Sequence, residues 1–71
     1  MSLKEVDMNL LIVEAIEGYA YRHNISTKET YMLFQNNNIL TLIRENYGSL
    51  HTQGMEESIN FVEDILRRMG K

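Results

Sequence analysis

The residues of this chain that could do chemistry gather in one stretch, ENYGSLHTQGMEES, residues 45–58, with Tyr47, Ser49, His51 and the acids Glu45, Glu56 and Glu57. An imidazole beside carboxylates and a hydroxyl is raw material for a metal centre or a nucleophilic triad. The spacing argues against both. A metal site needs three or four converging ligands, and the two histidines of the chain, His23 and His51, stand on different elements. Ser49, His51 and Glu56 have the types of nucleophile, base and orienting acid, but their separations match no motif for such a triad. The segment reads better as a connector between two helices. Gly48 would end the helix before it with a positive φ, Leu50 would drop back onto the core, and Thr52 or Gln53 would offer oxygens to the free amides of the next helix. What stays exposed there, Tyr47, His51, Gln53, Glu56 and Glu57, is the expected partner-contact surface, because recognition often sits on loops held by a rigid scaffold. No catalytic residue, cofactor or metal site is expected.

The elements that hold this segment read as helices. The chain has no Pro and no strict alternation of apolar and polar positions, so the helical period is the signal that remains. A first helix is expected from about Glu5 to His23. Val6, Leu10, Val13 and Ala20 share one side, and Met8, Ile12, Ile16 and Tyr19 widen it beyond the roughly 100° of a helix with one buried face. An arc this broad implies two contacts: a second subunit beside the core, or a central helix ringed by its own neighbours. Gly18 costs about 1 kcal/mol against Ala in a helix interior, which the close approach of another backbone would explain.

Ser26 followed by Glu29 forms a capping box, placing the start of a second helix at Thr27. Its inner face is expected to be Tyr31 with Phe34, plus Met32 or Leu33. The asparagines 36 to 38 end it, because Asn tolerates a left-handed backbone. A short third helix follows from Ile39 to about Tyr47, with Asn38 as N-cap and Ile39 and Ile43 one turn apart. The fourth, from Gly54 or Met55 to Met69, carries Met55, Ile59, Val62, Leu66 and Met69 at steps of four and three, the pattern of a helix packed nearly antiparallel on another. Glu56 and Glu57 near its start, and Arg67 and Arg68 near its end, oppose the helix dipole, and Gly70 stops it. The methionines 8, 32, 55 and 69 lie at or beside these stripes as gap-fillers. The four tyrosines suit a core rim.

A chain of 71 residues makes one domain, 1–71, an all-α compact bundle of four helices with the third short. Without Cys it has neither disulfides nor thiolate zinc sites, which leaves regular packing or a second subunit to stabilise so small a core. Net charge is −3 with the basic residues scattered, so nucleic acid is not an expected partner. The outline of a DNA-binding helix-turn-helix over residues 26–46 fails on its second helix, ILTLIREN, which is mostly apolar. No window approaches the roughly 20 apolar residues of a membrane span. With no export signal either, the expected location is the cytoplasm.

Residues 24–66 resemble a family of small bacterial proteins, the domain of unknown function 3791. Tyr31, Leu33 and Phe34, then Ile39 and Ile43, then YGSLHTQG followed by an acidic amphipathic helix ending in Asp64, Ile65 and Leu66 carry the resemblance. The NNN segment departs from it, standing where a Lys-Tyr-Gly type of helix end is expected. Asn can serve in that left-handed cap. The resemblance implies an all-helical domain with no assigned catalytic residues, and an antitoxin or accessory role beside a predicted ADP-ribosyltransferase-like toxin. The expected function is therefore a non-enzymatic cytoplasmic protein-interaction module. Self-association as a homodimer through the wide arc of the first helix is the runner-up, and a small helix-turn-helix regulator comes third.

Overall fold

Residues that accept a left-handed backbone set the turns of this chain. In the computed structural model, which describes residues 3–71, five helical segments follow one another: α1 (Leu3–His23), α2 (Thr27–Asn36), α3 (Ile39–Glu45), the single turn α4 (Tyr47–Leu50) and α5 (Met55–Arg68). Asn24 ends α1 at φ 54°, and Gly70 ends α5 at φ 78°. Both ends close with the same pair of hydrogen bonds. Ile25 N donates to Ala20 O (3.0 Å) and Asn24 N to Tyr21 O (3.3 Å), while Lys71 N donates to Leu66 O (2.9 Å) and Gly70 N to Arg67 O (3.0 Å). This is the Schellman arrangement, which satisfies carbonyls that a helix end otherwise leaves unpaired.

Ser26 caps α2 as expected, its Oγ accepting from Glu29 N at 3.0 Å. Among the described residues only this half of the capping box forms. Asn38 precedes α3, but in the left-handed region (φ 58°, ψ 25°) and with no side-chain cap bond; an N-cap needs an extended backbone to aim its oxygen inward. The third helix also stops earlier than expected. Asn46 turns its amide back onto Leu42 O at 2.8 Å, and the chain restarts as α4. Gly48 lies inside that turn, and the glycines with positive φ are Gly54 and Gly70. The reversal into α5 thus belongs to Gly54, at φ 90°.

α1 packs against α2, α3 and α5, with a core of Leu11, Ile12, Ala15, Tyr19, Phe34, Ile39, Ile43, Tyr47, Leu50, Ile59, Val62 and Leu66. Gly18 faces the side chain of Ile59, not another backbone: a Cβ there would lie 3.1 Å from Ile59 Cγ1 and closer still to its Cδ1. The absence of a side chain lets α5 seat beside α1. Met55 also lies near Gly18, while Asn60 and Glu63 lie near Arg22 and His23. Positions on both helices thus rise together, so α5 runs beside α1 in the same sense. The expected antiparallel packing is wrong, because heptad-like spacing fixes the contact stripe of a helix and not its direction.

Two inner faces also differ from expectation. On α2 the buried residues are Thr30 and Phe34. Tyr31 and Met32 point outward. Thr30 can occupy the interior because its Oγ1 donates to Ser26 O at 2.9 Å. On α1 the residues Leu11, Ile12, Ala15, Tyr19 and Ala20 are buried, with Met8 and Ile16 packed partly buried beside them. Val6, Leu10 and Val13 remain 47%, 54% and 47% exposed, on the side away from the core, so α1 is not ringed by its own neighbours. Met55 and Met69, at the two ends of the α5 seam, are half exposed as well.

Candidate functional site

The turn from Tyr47 to Met55 meets the middle of α1 and leaves a groove of about 250 Å³ lined by Asp7, Leu10, Leu11, Glu14, Tyr47, Leu50, His51, Gly54 and Met55. Two buried side chains, Tyr47 and Leu50, anchor α4 at its floor. Tyr47 is only 9% exposed, so it supports the surface where a contact residue was expected. His51 lies one turn further on and stacks its ring on Tyr47, centroids 4.6 Å apart and planes within 8°. Its Nδ1 lies 2.8 Å from Tyr47 O. A carbonyl can only accept, so Nδ1 carries a proton and donates it to this bond. This bond stays within the turn that carries His51.

The remaining expected contact residues do not converge on this groove. Gln53 and Glu57 line a second hollow of about 320 Å³ with Asn46, Leu50, Phe61 and Asp64 among others. Gln53 Nε2 donates to Ser49 Oγ (3.1 Å) and Thr52 Oγ1 to Ser49 O (2.9 Å), so both tie the turn to itself. α5 begins at Gly54 with no side-chain cap bond. Glu56 reaches instead toward Arg22 Nη2, at 3.9 Å. Ser49 bonds Gln53 and not His51, so the serine-histidine-acid arrangement does not form. Among the described residues no three His, Asp or Glu side chains cluster closely enough to hold a metal ion.

A second polar cluster, invisible to spacing, joins the C-terminal end of α1 to α5. Arg22 Nη1 donates to Glu63 Oε1 (2.7 Å) and to Asn60 Oδ1 (2.8 Å), and His23 Nε2 donates to Glu63 Oε2 (2.6 Å). Burial alone would raise the Glu63 carboxyl; the hydrogen bonds from His23 and Arg22, with the charges of both, overcome it and hold the group below the usual carboxylate value. Tyr19 stacks on His23 with centroids 4.1 Å apart and meets Phe34 edge-on at 5.4 Å. Burial, and then the charge of Glu63, push the Tyr19 hydroxyl above its ordinary pKa. Every partner in this cluster satisfies another, which is the signature of an interhelical clamp. Arg22 and His23, at the end of α1, were the available signal in the sequence; their partner lies about forty positions downstream.

Residues 11–68 match the family described as Protein of unknown function (DUF3791). The chain belongs to the DUF3791 family. The match takes in α2 to α5, the clamp and the α4 floor of the groove; of the α1 wall it includes Leu11 and Glu14 but not Asp7 or Leu10. No curated protein and no solved structure matches the chain. Among the described residues no helix is long and apolar enough to cross a membrane.

Proposed function

We propose that this DUF3791 protein is a non-enzymatic interaction module that docks another protein on the outer face of α1 and across the groove between α1 and the α4–α5 turn. One observation carries the reading: Val6, Leu10 and Val13, at steps of four and three on one helix side, stay about half exposed, and Met55 adds a further half-exposed apolar side chain at the groove. Apolar side chains that repeat along one helix face are otherwise turned inward, and a continuous exposed patch marks an interaction surface more often than chance exposure. The wall residues belong to α1 and to a floor pinned by Tyr47 and Leu50, so the surface is preformed.

The role implied by the family resemblance gives this reading a specific form: an antitoxin or accessory protein in the cytoplasm that docks a neighbouring ADP-ribosyltransferase-like toxin. Blocking such an enzyme needs complementary shape and charge, not chemistry of its own. A helix-turn-helix regulator has less support, because α3, the would-be recognition helix, spends Ile39 and Ile43 on the core. The test is co-expression with the product of the adjacent gene. The wild-type chain is expected to co-purify with it, and Leu10→Asp, at a position that carries no core packing, is expected to abolish the complex while leaving the helical content unchanged. A complex indifferent to Leu10→Asp would remove this face from the reading.

A further inference from the structure

The outer face of α1 also indicates what chemistry its occupant must have, an inference that rests on the docking reading above. Along the exposed stripe the next position after Val13 is Glu17, and the groove edge beside Leu10 is made by Asp7 and Glu14. None of these three carboxylates takes part in an ion pair among the described residues. Among the described residues every fixed charge lining the groove is negative, while Arg22 is held in the clamp and Arg67 and Arg68 lie on Asp64.

We infer that the occupant is a short amphipathic helix of another protein, with an apolar stripe flanked by Lys or Arg. The apolar stripe sets the helical form, since positions 6, 10 and 13 offer the alternating steps that seat the side chains of a second helix. The carboxylates set the sign. Asp7 and Glu14 stand one above the other on one edge and Glu17 follows on the stripe, so a partner with basic flanks meets three unpaired acids and a partner with acidic flanks is repelled.

A second copy of this chain fits poorly for the same reason. Parallel pairing of two α1 seams sets Glu17 on Glu17 of the other copy, and antiparallel pairing about Leu10 brings Asp7 beside Glu14 of the other copy. Both put like charges in the contact. Area agrees with charge. From Val6 to Val13 the stripe runs roughly 10 Å along the helix, too short for the ~800 Å² per partner of a standard stable interface, and suited to a few turns of peptide.

The experiment uses the full chain and two synthetic 18-residue peptides that share one Leu seam, one with Lys and Arg flanking it and one with Glu. Binding is read by fluorescence anisotropy at low and high salt. The basic peptide is expected to bind at least tenfold more tightly than the acidic one, to lose most of that advantage at high salt, to lose binding with Leu10→Asp, and to weaken at least fivefold with Asp7→Asn and Glu14→Gln together. Equal affinity for the two peptides, binding of neither, or binding of the basic one that survives Leu10→Asp overturns the inference. So does a dimer that forms at high protein concentration and dissociates with Leu10→Asp. If the peptides fail while the adjacent gene product still binds in a Leu10-dependent way, the docking face stands and only the basic helix is lost.

Discussion

The two histidines occupy the same local setting and end in different roles. Each follows a buried tyrosine by four positions and stacks on it, His23 on Tyr19 at 4.1 Å and His51 on Tyr47 at 4.6 Å. The difference is what reaches the outer edge of the imidazole. At His23 the Glu63 carboxylate arrives from α5 and locks two helices together. At His51 the imidazole bonds Tyr47 O within its own turn, and the residue lines a groove. A Tyr-to-His step of four on a helix is thus a platform, and tertiary position decides whether it serves as a clamp or stays available.

The largest change is expected where the two ends are alike. Tyr19→Ala and Tyr47→Ala each remove a buried ring from the core, and both should lower unfolding stability by about 3 kcal/mol in urea titration; a mild effect at Tyr47 alone would show that the platforms are not equivalent. Glu63→Gln separates the ends. It removes the charged acceptor shared by Arg22 and His23, with an expected loss of about 1–2 kcal/mol after allowance for partial solvent exposure.

Acid should act through the same residue. The folded-state pKa of Glu63 lies below the ordinary value of 4.5, so its contribution is present above that value and is lost as pH falls through it toward the lower folded value. The urea midpoint should therefore drop on acidification below about 4.5 in the wild type, and drop less in Glu63→Gln. The smallest effects are the sharpest for the comparison. His23→Ala should cost about 1 kcal/mol and His51→Ala no more than about 0.5 kcal/mol, since only the first breaks a contact between helices. Equal costs would erase the distinction drawn between clamp and open platform.

How much of this was legible in the sequence depends on how local each cause is. The cap at Ser26, the left-handed stop at Gly70 and the burial of Ile39, Ile43, Ile59, Val62 and Leu66 follow from neighbours within a turn or two, and the fold bears them out. The inward sector of α1 was legible only in part: Ile12, Tyr19 and Ala20 of the expected arc are buried, but Val6, Leu10 and Val13 are not, and Leu11 and Ala15 lay outside it. Apolar residues surround most of that helix, and its most buried position is the small Ala15, which adds little to a hydrophobic pattern although its size permits close packing. Gly48 misled because a glycine in a helical turn costs too little to forbid it, so anchoring by Tyr47 and Leu50 wins. Among the contact residues, His51 lines the groove while Gln53, Glu56 and Glu57 diverge. That divergence follows from the path of α5 beside α1, which local spacing does not encode. The clamp was beyond reach for the same reason.

The stacked imidazoles have a use outside energetics. A proton held over the face of an aromatic ring feels that ring's induced current, so the carbon-bound protons of both histidines should resonate upfield of their free positions. Because the chain has two histidines, one signal reports on the α1–α5 junction and the other on the groove. Occupancy of the groove can then be followed at one resonance with the other as internal reference, without a label.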